Sequence, residues 1–303
     1  MAGLTNTRRG TVLVAAALAA GSATYAQEVR GAEVSGAFEA TKVTIAPRYV
    51  CAYPVRAPFD PDLKGIAVML SEGPVDPEAA VEALDPHTQA INQEGLDDKN
   101  YITLYVWDDG RVAMNATQSK GMVQYIDNTD MQLVAELTTR TVDEIAGRVY
   151  TEAPVELPNG ESYSVDLSFA TVVTRPPAGD PLDEGGGAPG EALLALSAAT
   201  RRSDWPGMKP TLPDDYFDHR YCYFESGEPT EDEALECALD ALPEWLTSAE
   251  HGIEILRGEV RGDVAVLEVK QNHPAGLEML NLVEMIRTPS GWVFGRAAMV
   301  GMY

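Results

Sequence analysis

The clearest pattern in the chain is a strict alternation of apolar and polar positions. Between Ser162 and Val173, Tyr163, Val165, Leu167 and Phe169 alternate with Ser162, Ser164, Asp166 and Ser168. That spacing predicts a strand with one buried and one wet face. Its hairpin partner is expected from Ile145 to Leu157, with Pro158-Asn159-Gly160 as the turn. Tyr101–Trp107 and Arg111–Thr117 predict another hairpin across Asp108-Asp109-Gly110, where glycine supplies the positive φ of a tight turn. Earlier strands are expected at Ala32–Ala40, Lys42–Val55 and Gly65–Leu70. Asp76-Pro77 opens a short helix running to Leu84, Asp76 serving as cap and Pro77 fitting the first turn. Six or more antiparallel strands with one short helix predict a β barrel or sandwich over residues 32–175.

The pattern then breaks. Residues 176–190 are rich in glycine and proline and nearly devoid of apolar side chains, which reads as a linker. Gly185-Gly186-Gly187 lacks the lysine and hydroxyl residue of a phosphate-binding loop. Beyond it, residues 191–303 predict helices followed by strands. Glu191–Ala199 is a helix candidate, and Thr230-Glu231-Asp232-Glu233 is a capping box. The helix it opens carries Leu235, Leu239, Leu242 and Leu246 on one face, with Pro243 restarting a turn. Two hairpins close the chain: Ile253–Val260 with Val264–Lys270, and Leu280–Arg287 with Trp292–Val300. The overall class is therefore α+β, an antiparallel β unit followed by a helix-and-antiparallel-sheet unit.

The last 110 or so residues resemble the ketosteroid-isomerase-like, nuclear-transport-factor-two-like family of α+β cone domains. The resemblance is carried by Arg201-Arg202-Ser203-Asp204-Trp205 after the early helix, by the strands flanking Arg261-Gly262-Asp263, and by Val283–Phe294 with Trp292 opening the final strand. It implies a cone-shaped fold. It does not imply a function, because that fold hosts isomerases, dehydratases and non-catalytic binders alike. Residues 32–175 resemble no family.

The N-terminus carries a different signal. Arg8-Arg9 precede the apolar run Thr11–Ala20, and Thr24-Tyr25-Ala26 offers small residues around a cut after Ala26. This predicts a secretory signal peptide over residues 1–26, and hence a periplasmic or secreted protein. Ordinary export is favoured over the twin-arginine route, because Gly10-Thr11-Val12 lack the usual residues after the pair. The apolar run is too short to span a bilayer, and no later segment is expected to do so. The chain has 47 acidic against 22 basic residues, a net charge of −25, and both halves share the excess. Such a surface excludes nucleic acid and anionic lipid as partners.

Candidate chemistry is sparse. The cysteines are Cys51, Cys222 and Cys237. In an oxidising compartment an odd count predicts one bridge and one spare thiol. Cys222 and Cys237 are the expected pair: both lie in the second unit, the segment between them has a turn's glycine and proline, and Cys237 stands off the leucine stripe. Cys51, on a strand of the first unit, is then the free, buried thiol. His87, His219, His251 and His273 show no metal-binding spacing, and HExxH, Gly-x-Ser-x-Gly and Ser-x-x-Lys are absent. Asp127-Asn128-Thr129-Asp130 lacks the glycine and glutamate of a calcium loop and reads as a turn. Asn115-Ala-Thr117 matches a glycosylation triplet but falls on an expected strand.

No cofactor or metal is expected, and no residue is assigned to catalysis. The nearest approach to an acid–base site is residues 214–224, where Asp218 and His219 are the candidates. Strand alternation would point those two side chains apart. These readings favour a non-catalytic envelope protein that binds a small ligand or a protein partner, through the pocket or sheet face of its second unit. The rivals are a cofactor-free isomerase, dehydratase or hydrolase using Asp218 or His219, and a structural or assembly subunit of the envelope.

Overall fold

The computed structural model describes residues 32–118, 124–213, 230–248, 252–272 and 276–302. The described chain is strand-rich and antiparallel, with few helices. It opens with β1 (Glu33–Ala40), β2 (Thr44–Ile45), β3 (Tyr49–Ala57) and β4 (Asp60–Ser71), then α1 (Pro77–Val81) and α2 (Pro86–Ile91). Next come β5 (Tyr101–Trp107), β6 (Val112–Thr117), β7 (Gln124–Asn128) and β8 (Leu133–Arg140). They are followed by β9 (Glu144–Thr151), β10 (Val155–Glu156) and β11 (Ser162–Val172).

These strands form two sheets. Sheet A runs β2-β1-β11-β9-β8, with β10 also paired to β11, and sheet B runs β3-β4-β5-β6-β7. Phe38, Val149, Leu167 and Phe169 of sheet A share one core with Val68, Leu70, Leu104 and Met114 of sheet B. The opposite face of sheet B is covered by α1 and α2, with Ala80, Val81 and Ala90 packed against Tyr53, Ala67 and Met69. This explains a contrast between the two strand sequences. β11 alternates because one face is wet, whereas Ile66–Leu70 in β4 is an unbroken buried run because both faces are covered.

The expected Lys42–Val55 strand divides into β2 and β3, which belong to different sheets. The break falls at Ala46-Pro47-Arg48, where proline cannot donate to a ladder. Pro54 is tolerated inside β3 because β3 is the edge of sheet B. Asp76 caps α1 as expected, accepting from the amides of Glu78 and Ala79. The same Asp-Pro signal recurs at Asp85-Pro86 and builds α2, which, like β7 and β8, is an element beyond those the hydrophobic pattern predicts.

The chain continues with β12 (Asp180–Pro181), α3 (Gly187–Thr200), α4 (Trp205–Met208), α5 (Glu231–Ala241) and α6 (Glu244–Thr247). It ends with β13 (Gly252–Arg261), β14 (Val264–Asn272), β15 (Glu278–Thr288) and β16 (Gly291–Met302), which with β12 form sheet C in chain order. Leu193, Leu196, Trp205, Met208, Ala238 and Leu246 of the helices pack on Leu267, Val269, Val283 and Phe294 of sheet C. The capping box at Thr230 is formed, its hydroxyl accepting from the Glu233 amide while the Glu233 carboxylate accepts from the Thr230 amide.

The glycine- and proline-rich stretch 176–190 is not a free tether along its length. Asp180 and Pro181 pair with Val260 and Glu259, and the Leu182 amide donates to the Gly258 carbonyl at 2.9 Å. From Gly187 the chain is already helix. The glycines serve close approach here: a Cβ on Gly190 would lie 1.9 Å from the Gly185 carbonyl oxygen. Alanine is normally better than glycine inside a helix by about 1 kcal/mol. Gly190→Ala is expected to reverse that sign and lose about 1–3 kcal/mol in chemical denaturation. A stabilised variant would show that α3 does not pack on this turn.

Sheets B and C meet at one corner. Glu268 on β14 receives both Arg257 and, from β3, Arg56. The Met302 amide donates to the Pro58 carbonyl at 2.8 Å. No helix among the described residues is long and apolar enough to cross a membrane.

Candidate functional site

Of the residues expected from the sequence to carry chemistry, Asp218, His219 and Cys222 lie outside the described residues, as do His251 and His273. Cys237, on α5, is disulfide-bonded. Cys51 is a free thiol. It lies between sheet B and its helices, where burial raises its pKa to about 12 and keeps it unreactive.

Among the described residues the one histidine is His87, and both its ring nitrogens have partners. The Asp85 carboxylate caps α2 by accepting from the amides of His87 and Thr88, and this sets the imidazole over sheet B. Tyr53 on β3 and Tyr105 on β5 both point towards the same face, two strands apart. The Tyr53 hydroxyl lies 3.1 Å from His87 Nδ1, and the Tyr105 hydroxyl lies 2.9 Å from Nε2. Tyr53 is fully buried, so its O–H needs an acceptor inside the protein, and Nδ1 is that acceptor. The ring proton then resides on Nε2 and is donated to the hydroxyl of Tyr105, a half-buried residue.

Burial holds the imidazole below its usual pKa against the opposing charge of Asp85, which favours this neutral arrangement. Burial raises both phenols, Tyr105 to about 12. Trp107 stacks on Tyr105 with centroids 5.5 Å apart. With both ring nitrogens taken by its own tyrosines, the imidazole ties α2 to two strands. The sequence signal for this was the Asp85-Pro86-His87 cap together with two tyrosines in register on neighbouring strands.

A second polar cluster lies between sheets A and B. The turn expected at Asp127–Asp130 forms one residue later, the Met131 amide donating to the Asn128 carbonyl at 3.0 Å, while Asp127 itself ends up in β7 with its side chain wholly buried. It accepts from the Tyr163 hydroxyl at 2.8 Å and from the amides of Asn128 and Gln132 at 2.7 and 3.3 Å. Among the described residues no three His, Cys, Asp or Glu side chains converge as a metal-binding set.

The outer face of sheet A carries a polar trough of about 570 Å³. Its floor comes from small side chains on the two adjacent strands β1 and β11: Ser35 opposite Ser168, and Ala37 opposite Asp166. Its wall is Arg148 on β9, which stands opposite Ser168. Arg148 donates through Nε and a terminal nitrogen to the two carboxylate oxygens of Asp166, each at 2.8 Å. Its guanidinium also lies 4.4 Å from the centre of the Tyr150 ring. Gly36, at φ +94°, draws β1 onto β11 and leaves no room for a side chain: a Cβ would sit 2.0 Å from the Asp166 carbonyl oxygen.

No protein-family model and no curated protein matches this chain. The wet face of β11 was legible as alternating serine and aspartate, but the trough was not. It depends on which strands are neighbours and on the contrast between short side chains on β1 and β11 and long ones on β9.

Proposed function

We propose that this is an exported, acidic, non-catalytic envelope protein that binds a small ligand or a partner, with the outer trough of sheet A as its binding surface. The observation that supports this reading is the trough itself, an open polar groove of about 570 Å³ lined by groups that donate and accept hydrogen bonds. Residues 32–175 would form a β-sandwich domain. Residues 191–303 would form a cone-like domain of the ketosteroid-isomerase-like type, joined to the first by the ordered stretch 176–190. In that second domain, the helix-facing side of sheet C is occupied by apolar side chains of the helices, which favours sheet A as the binding face.

The rival, a cofactor-free acid–base enzyme, draws on one specific observation: neutral His87 hydrogen-bonded to the half-buried Tyr105 phenol. Tyr105→Phe distinguishes the two readings. A binder acting through sheet A keeps its affinity in this variant, whereas an enzyme using Tyr105 loses turnover by about 10²-fold or more. Export has its own test. N-terminal sequencing of protein recovered from the producing cells is expected to begin at Gln27, and an intact Met1 start on the mature protein would remove the periplasmic or secreted assignment.

A further inference from the structure

We infer that the trough on sheet A takes a neutral, hydroxyl-rich ligand, a stretch of uncharged oligosaccharide; this rests on the reading of sheet A as the binding surface. The first ground is the Arg148–Asp166 pair. The guanidinium gives two of its hydrogens to the carboxylate, and the carboxylate uses one lone pair on each oxygen in return. Spare N–H donors and spare carboxylate lone pairs therefore stand side by side in a fixed plane. A pair of neighbouring sugar hydroxyls, each donating one hydrogen and accepting another, complements that arrangement. Water makes the same contacts one molecule at a time, so a ligand that holds two hydroxyls at this spacing replaces two separately ordered waters.

The floor adds to this. Ser35, Ser164 and Ser168 carry hydroxyls that can rotate to donate or accept, so they match an array of hydroxyls whose orientation varies from ring to ring. Facing pairs on β1 and β11 recur two residues apart: Ser35 with Ser168, Ala37 with Asp166, and Glu39 with Ser164. At about 3.4 Å per residue the floor is roughly 14 Å long, the length of a short oligosaccharide segment. Its small side chains let a ring approach the sheet closely.

Charge decides against the other polar ligands. Arg148 and Asp166 neutralise each other, and Glu39 leaves the trough with a negative excess on a chain of net charge −25. Phosphate, sulfate and uronate groups are repelled. A basic peptide finds Asp166 already engaged by Arg148, which leaves Glu39 as the one trough carboxylate whose charge is not neutralised within the trough, a single point of attraction that the oligolysine arm of the test measures. Both members of the pair are partly exposed, at 46% and 63% of the side chain, so covering them with a neutral polar ligand removes little hydration that the ligand does not replace.

The test is titration of the mature chain, by calorimetry and by NMR, with uncharged xylo- and malto-oligosaccharides, with a uronate oligosaccharide and with an oligolysine peptide. Ser168→Leu is the companion variant. The position is exposed on the wet face of β11, so the substitution fills the trough without touching the core. Saturable binding of a neutral oligosaccharide is expected, weakened about tenfold or more in Ser168→Leu. Binding of oligolysine or uronate that Ser168→Leu abolishes would overturn the oligosaccharide assignment while leaving the trough as the binding surface. Neutral oligosaccharide binding left intact by Ser168→Leu would overturn the trough itself. Failure of every neutral oligosaccharide to bind at millimolar concentration would overturn the inference.

Discussion

Asp127→Ala is expected to lose about 2–4 kcal/mol of folding stability. The carboxylate is fully buried and is the acceptor for the Tyr163 hydroxyl and for two backbone amides. Alanine leaves the Tyr163 hydroxyl between the sheets with no acceptor, at about 1–3 kcal/mol, and strips the half-buried to exposed turn of the acceptor for the Asn128 and Gln132 amides, which water replaces only in part. The donors also hold the turn after β7 against β11, so the loss reaches packing. Tyr163 stands within an aromatic group whose ring centroids with Phe38 and Tyr125 are 5.6 and 5.8 Å apart. Tyr163→Phe keeps that packing and removes one donor, so it is expected to cost about 1–2 kcal/mol. Urea denaturation decides the matter through the midpoint, with an unchanged m value showing that the unfolding unit is the same. A loss below about 1 kcal/mol for Asp127→Ala would mean that water or another acceptor serves these donors.

The second large effect is on acid stability, through His87. Burial lowers the folded-state pKa of this imidazole, while in the unfolded chain it titrates near the ordinary value of about 6.5. Below that pH the unfolded state binds the proton more readily than the folded state. The stability His87 contributes is therefore fully present above pH 6.5 and is lost as the pH falls towards the folded-state value. The slope approaches about 1.4 kcal/mol per pH unit. Protonation also turns Nδ1 from acceptor into donor, which removes the acceptor of the buried Tyr53 hydroxyl. Asp85 acts in the opposite direction, but burial is the larger influence.

His87→Phe is expected to be about 1–3 kcal/mol less stable at neutral pH, because Tyr53 is left without its acceptor. The difference between the two proteins should shrink as the pH falls below 6.5. Denaturation midpoints measured from pH 8 to pH 5 give that difference directly. A difference independent of pH would assign the acid sensitivity to other groups.

The elements that the sequence determined are those whose signal is local. The alternation in β11, the Asp-Gly turn after Trp107, the Asp76 cap and the Thr230 capping box each depend on residues a few positions apart, and each forms as the pattern predicts. Cys51 was legible as a buried small residue on a strand for the same reason. Charge was equally plain, since net charge is a sum and does not depend on the fold.

Three things were decided only by tertiary structure. A glycine that gives flexibility and a glycine that permits contact have the same letter, so 176–190 read as a tether, although Gly190 lies against the Gly185 carbonyl. Histidine spacing along the chain could not reveal the His87 network, because its partners come from β3 and β5, brought within reach by sheet pairing and by the helix that Asp85 caps. The trough on sheet A needed strand order. Ser35 and Ser168 are far apart in sequence and adjacent only because β1 pairs antiparallel with β11. Local spacing sets which face of an element is wet, but the neighbours of that face are chosen by burial of the core as a whole, and a site assembled from several strands exists only once that choice is made.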